Sequence, residues 1–233
     1  MASENENITK KGDFIELEFL GKNLVNNEVF DTNIPAEAKK INLEMNAKPF
    51  IICIGKSMVV KGFDEALENK EINKKYTIKL TPEKAFGKRQ SNLVRLIPLK
   101  VFTAQKIYPE PGMTLALDEN LVKVISVSGG RVLVDFNNPL AGKDVEYEFA
   151  IKRIVSDAKE KVNAFQRFFF NQEFEFDLDE KDPKNKKIIF KDVKLTPILD
   201  AFKSKFKEFL GMDIEILAKK EDAKSEKEIE VKK

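Results

Sequence analysis

Histidine is absent from the 233 residues, tryptophan is absent too, and cysteine occurs once, as Cys53. Without an imidazole there is no Ser-His or Cys-His nucleophile pair, no histidine acid/base and no zinc site of the usual Cys/His kind. One cysteine cannot close an internal disulfide, which suits a reducing compartment. Set inside a continuous apolar run, Cys53 reads as a small buried hydrophobe rather than a nucleophile. Net charge is nearly absent as well: 41 Lys and Arg against 39 Asp and Glu leave +2, so no overall field draws in nucleic acid or an anionic membrane. The longest apolar run, Phe50 to Ile54, has five residues, far short of the roughly 20 that cross a bilayer as a helix. The opening Met-Ala-Ser-Glu-Asn-Glu lacks the basic and apolar parts of a signal peptide. These gaps predict a soluble, cytoplasmic protein that needs no metal and no cofactor.

Apolar residues make up 42% and charged residues 34% of the chain, enough for real cores at a length that suggests two or three compact units. Residues 1–11 are polar and read as loose. From Phe14 to Phe19, Ile15, Leu17 and Phe19 alternate with Glu16 and Glu18, the pattern of a half-buried strand. Residues 32–48 lack a period and read as a long excursion. Phe50 to Ile54 reads as a buried strand, Gly62 to Ile72 as a short helix burying Phe63, Ala66 and Leu67, and Tyr76 to Leu80 as another strand.

Between Lys88 and Asn138 the strands are short (Leu93–Ile97, Thr114–Leu117, Leu121–Val127, Arg131–Phe136) and separated by explicit breakers such as Pro109-Glu110-Pro111-Gly112 and Ser128-Gly129-Gly130. This predicts a small, separate β unit. Asp144 to Ile154 returns to strand pattern. Beyond it, Ala158, Val162, Phe165 and Phe169 keep helical spacing behind a Ser156 cap. Phe174 to Leu178 and Ile188 to Leu195 read as strands. A second helix starts at Thr196-Pro197, with Ile198, Phe202, Phe206 and Phe209 as its stripe and Gly211 as its stop. Ile214 to Leu217 reads as a last strand. Residues 219–233 mix lysines and acids with little to bury and read as a solvated tail.

Three stretches together are recognisable: Val29-Phe30-Asp31, Phe50 to Leu67 (Phe-Ile-Ile-Cys-Ile-Gly-Lys, then Val-Val-Lys-Gly-Phe-Asp-Glu-Ala-Leu), and Thr81-Pro82-Glu83-Lys84-Ala85-Phe86-Gly87. With Pro139-Leu140-Ala141-Gly142-Lys143 and Val145 to Ile151, they resemble the FKBP family of peptidyl-prolyl cis-trans isomerases over about residues 12–154. The insertion after Gly87 resembles the SlyD-type and archaeal long branches, in which the extra domain sits in the flap over the pocket and grips unfolded chains. The final domain resembles what archaeal long-type members append.

The resemblance implies an α+β fold: an FKBP-like antiparallel sheet on a short helix (1–87 plus 139–154), an inserted small β domain in the flap (88–138), a C-terminal α+β domain (155–218) and a charged flexible tail (219–233). It implies a site in which Asp31, Phe30, Phe86 and Tyr147 are catalytic and Phe19, Phe50, Ile52, Val59, Val60 and Phe63 bind substrate, with no metal. The implied partners are unfolded or partly folded proline-containing polypeptides, and a macrolide held weakly. Phe19 and Phe86 stand where tyrosine is usual and Phe63 where tryptophan is usual, which implies modest activity. A dimer through the C-terminal domain is a further expectation.

That reaction needs none of the missing chemistry. Rotating an Xaa-Pro bond crosses a barrier of roughly 18–20 kcal/mol set by amide resonance, and an apolar pocket favours the less polar, twisted amide. Two other readings come from different classes. One is a non-catalytic holdase that keeps the fold, suggested by the lost tyrosines. The other is a ribosome- or RNA-associated module using Lys203, Lys205 and Lys207, although a helix opposite a Phe stripe normally carries such charges. The pairs Glu16/Glu18 and Asp177/Asp179 lie on solvated strand faces, which argues against acid/base work. Asp179-Glu180-Lys181-Asp182-Pro183 lacks calcium-loop spacing.

Overall fold

A computed structural model describes residues 7–217 apart from 45–47, 118–119, 183–184 and 192; the expected tail at 219–233 lies outside the described residues. Among the described residues the strands form three sheets, each with its own apolar cluster.

Strand β1 (Phe14–Asn23) is the spine of the first sheet. It pairs antiparallel with β2 (Val29–Thr32) and with the short β3 (Ile51–Cys53). Along its whole length it also pairs with β9 (Val145–Val155), which in turn pairs with β4 (Lys75–Leu80). The alternation read from the sequence sets its faces: Ile15, Leu17 and Phe19 are buried. On the other face Glu16 and Glu18 meet Arg153 at 2.7 Å and Lys152 at 3.1 Å across the ladder. Helix α2 (Lys61–Ala66) crosses the apolar face and buries Phe63. It is shorter than the sequence suggests, because Asn69 and Asn73 turn left-handed behind it. Gly62 is required there, since a Cβ would stand 2.7 Å from Leu80 and 3.0 Å from the Lys84 carbonyl.

Two expectations fail at the edges of this unit. The N-terminal segment is docked from residue 7 onward: Thr9 is fully buried and its hydroxyl donates to the Leu67 carbonyl at 2.6 Å. The excursion at 32–48 contains helix α1 (Pro35–Lys40), whose six residues bury only Ala38 and are too few to show a period.

The second sheet runs β5 (Val94–Pro98), β8 (Arg131–Asp135), β7 (Asn120–Ser128) and β6 (Thr114–Leu117), antiparallel throughout. Val122, Val124, Val132 and Val134 pack from one face against Phe102 of the six-residue helix α3 (Leu99–Ala104). The third unit holds α4 (Ala158–Phe170) and a sheet in which β10 (Phe176–Asp179) runs antiparallel to β11 (Lys187–Phe190). Helix α5 (Thr196–Leu210) then returns the chain so that β12 (Asp213–Ile216) pairs parallel to β11.

Three details of this unit depart from the sequence reading. The cap of α4 is Asp157, not Ser156, and its carboxylate accepts the Glu160 N–H at 2.7 Å. The β11 strand ends at Phe190, and residues 193–195 form a 3-10 turn. Ile198 is 45% exposed, and the buried stripe of α5 begins instead at Leu199. Phe209 and Leu210 pack against both the first and the third cores, and Lys56 pairs with Glu208 at 2.9 Å. The third unit is therefore seated on the first.

Candidate functional site

A cavity of about 390 Å³ opens between the first sheet and α2, lined by Phe19, Asp31, Phe50, Met58, Val59, Val60, Phe63, Phe86 and Tyr147. Its floor is a stack: the Phe63 and Tyr147 rings lie 4.4 Å apart at 18°. Phe19 meets Phe63 edge-on at 6.0 Å and Phe50 at 5.5 Å. Five of these side chains come from five separate segments. Phe19 comes from β1, Asp31 from β2, Tyr147 from β9 and Phe63 from the first turn of α2, and Phe86 follows the 3-10 turn Pro82–Lys84.

The loop carrying Met58, Val59 and Val60 is held from below by a buried carboxylate. Asp64 accepts the N–H groups of Gly55 at 2.8 Å and Ser57 at 2.9 Å. Gly55 and Ser57 both have positive φ. The Cys53 N–H donates to the Met58 sulfur at 3.1 Å, fixing that side chain under the loop.

Asp31 is the one ionisable carboxylate in the lining. The residue is exposed at the rim, yet desolvation on its cavity side raises the carboxyl above its ordinary value, opposed by the Thr32 N–H. Tyr147 is buried, and burial, with the Asp31 charge second, pushes its phenol well up, so it stays protonated. Burial also pushes the Cys53 thiol up to about 11, which leaves no thiolate at neutral pH. Among the described residues no group of three metal-ligating side chains occurs.

Of the ten residues expected at the site, eight line this cavity and two do not. Phe30 stands behind it, edge-on to Phe86 at 5.6 Å and to Tyr147 at 5.7 Å. It is a wall for the wall. Ile52 is fully buried in the core and touches the cavity nowhere. Met58 is a lining residue that sequence reasoning missed; its signal was only its place in the Gly55–Val60 loop. Lys203 and Lys207 of α5 pair with Asp200 and Asp213, each at 2.7 Å, and Lys205 lies over the Phe169 ring at 4.4 Å.

A family model described as FKBP-type peptidyl-prolyl cis-trans isomerase matches residues 5–101, and one described as FKBP26, IF domain, matches residues 95–140. The short-type peptidyl-prolyl cis-trans isomerase of Methanocaldococcus jannaschii is 29% identical over 151 residues, which cover 64% of this chain and 95% of that protein. FKBP-type peptidyl-prolyl cis-trans isomerase SlyD of Aeromonas hydrophila is 28% identical over 124 residues, covering 52% of this chain and 58% of the relative. The SlyD of Haemophilus influenzae is 31% identical over 97 residues, covering 40% and 50%. The chain thus spans about half the length of these two SlyD relatives. One model falls on the unit that holds the cavity and the other on the strand-rich unit after it, so the chain carries an FKBP-type peptidyl-prolyl cis-trans isomerase domain followed by an IF domain.

Proposed function

We propose that the 390 Å³ cavity turns Xaa-Pro bonds and that the second unit supplies it with unfolded chains. The observation that carries the first half is the lining itself: aromatic and aliphatic walls with a single carboxylate. No bond is made or broken in this reaction. The planar amide carries separated charge that the twisted one loses, so an apolar, water-poor enclosure lowers the barrier by disfavouring the start more than the summit. Each 1.36 kcal/mol so gained is worth about tenfold in rate.

The proline ring rests on Phe63, flanked by Phe50 and Val60. The N–H of Val60, at the cap of α2 where donors lack helical acceptors, takes a substrate carbonyl. Asp31 polarises the twisting amide, and Phe86 and Tyr147 close the side. Phe19 and Phe86 bring no hydroxyls, each a loss of ~1 kcal/mol if hydrogen-bonded to substrate, so the rate is modest and a macrolide binds weakly in the same place.

The second half of the reading rests on exposed apolar surface. Leu96 is 62%, Tyr108 73%, Met113 42% and Leu121 61% exposed, all in the second unit. Leu96 sits opposite Leu133 on the sheet face turned away from Phe102. Its hinge adjoins the cavity, since the Gly142 N–H donates to the Gly87 carbonyl at 2.8 Å, one residue after Phe86. A chain caught there lies beside the site. The working boundaries are 1–87 plus 139–154, 88–138 and 155–218, the last offering Ile198 and Leu217 as exposed apolar surface to a second copy. We place the protein in the cytoplasm, with non-native, proline-containing polypeptides as clients. The engaged lysines of α5 argue against nucleic acid.

A second reading, a holdase without catalysis, is favoured by the same exposed surface and by the missing hydroxyls. Exchange NMR on a short Xaa-Pro peptide decides between them. Acceleration by the parent that disappears in both Val60→Asp and Phe86→Ala is expected. No acceleration by the parent hands the function to the holdase.

A further inference from the structure

A second hollow, of about 470 Å³, adjoins the cavity and shares Phe19, Asp31 and Phe50 with it. Its far wall is the third unit: Ala164, Arg167 and Phe168 of α4. Its near lip carries Leu43. Two large apolar side chains stay open there, Phe168 at 43% and Leu43 at 39% exposure. The wall is fixed in place. Ala164 is buried in the first core, and Glu173 clamps both sides by taking Arg167 at 2.6 Å and Lys48 at 2.7 Å. Both cations are paired to Glu173 and share the lining with the carboxylates of Asp31 and Glu44, so no excess of positive charge is left in the hollow.

We propose that this hollow is a subsite for the residues flanking the substrate proline, and that Phe168 and Leu43 select a bulky apolar side chain a few positions from it. The proposal rests on the reading of the cavity as the proline site. Continuity identifies the occupant. A peptide with its proline on Phe63 leaves past Phe50 and Asp31, which are walls of both spaces, and three extended residues reach about 10 Å. The third unit then takes part in substrate choice and is more than an appendage.

The test compares kcat/KM of the full chain by exchange NMR on a blocked tetrapeptide and on two eight-residue peptides, with leucine three positions before or after the same proline. The parent is expected to prefer one of the longer peptides by roughly fivefold, through KM, the yield of partly burying one leucine. Phe168→Ser abolishes that preference, Phe168→Leu restores most of it, and both leave the tetrapeptide rate unchanged. No preference in the parent, or an equal loss on short and long peptides, overturns the proposal. If the parent accelerates none of them, the isomerase reading has failed by itself. The subsite is then decided by chemical-shift titration, in which Phe168→Ser must weaken binding of the preferred long peptide and leave the tetrapeptide unaffected; equal affinity in both proteins overturns it.

Discussion

Asp64 bears no side chain into the cavity, yet the geometry makes the site depend on it. Its carboxylate is buried at 7% exposure and holds the N–H groups of Gly55 and Ser57. Between them these residues carry the positive-φ turn that presents Met58, Val59 and Val60. Removing the carboxylate in Asp64→Ala leaves two N–H donors, on residues that are themselves exposed, without their protein acceptor. Hydrogen bonds to a charged group are worth ~1.5–3 kcal/mol each, and some water will reach the loop, so the expected loss is about 3 kcal/mol. Asp64→Asn keeps one acceptor oxygen and turns an NH2 toward the other donor, so about half that loss is expected. Urea unfolding followed by tyrosine near-ultraviolet circular dichroism reads this unit, because Tyr76 and Tyr147 lie in its sheet and stack on Phe149 and Phe63. Isomerase kcat/KM should fall in the same order, parent above Asn above Ala. If Asp64→Ala shifts stability by less than about 0.5 kcal/mol and leaves kcat/KM intact, the idea that this carboxylate holds the loop is wrong.

Other substitutions test the walls, the charge and the hinge. A Cβ on Gly21 would lie 2.7 Å from the Phe30 ring and 3.0 Å from Tyr147, so Gly21→Ala should cost about 1–3 kcal/mol as overpacking and lower kcat/KM; a wild-type rate would show that Phe30 does not set the wall. Asp31 has a carboxyl raised in the folded state, so the folded protein binds more protons than the unfolded chain and stability falls as pH climbs from the unfolded value through the folded one. Asp31→Asn should therefore stabilise the protein at pH 7, lose that gain below the ordinary carboxylate range, and still lower kcat/KM; a stability gain independent of pH would refute the assignment. Asn137 ties together the two chain crossings at the root of the second unit, accepting the Gln90 N–H at 2.8 Å and donating to the Gln90 carbonyl at 2.9 Å. Asn137→Ala should leave the rate on a short peptide unchanged and slow catalysed refolding of a proline-limited protein several-fold, consistent with a loss of ~1–3 kcal/mol of hinge hydrogen bonding; an equal fall in both assays would contradict the division of labour.

Much of the local structure was written in the residue pattern. Alternation in β1 fixed which side chains are buried, because a strand points successive residues to opposite faces and only one face was covered. The breakers between 109 and 130 bounded the strands of the second unit to within a residue or two. Gly211, left-handed at φ 69, ends α5 where expected. Other positions carried no such signal. Ile51, Ile52 and Cys53 are all buried, with no polar face to say which side looks at the cavity, so nothing in their pattern could correct the lining role that the resemblance implied for Ile52, which is core. Helices α1 and α3 have six residues each, less than two turns, and leave no period. Ile198 and Leu199 are adjacent apolar residues on one helix, and only the position of the third sheet decides which one is covered.

Which residues meet was decided by tertiary structure alone. Phe19, Asp31, Phe63, Phe86 and Tyr147 come from five separate segments and share one cavity because β1 pairs with both β2 and β9 while α2 crosses their apolar face. Similarly, composition and motif name Phe168 only as one ring of an aromatic helix. Its place on the far wall of a groove that opens from the cavity follows from α4 burying Ala164 in the first core and from Glu173 reaching Lys48, 125 residues away in the chain (173 less 48), contacts that no local pattern encodes.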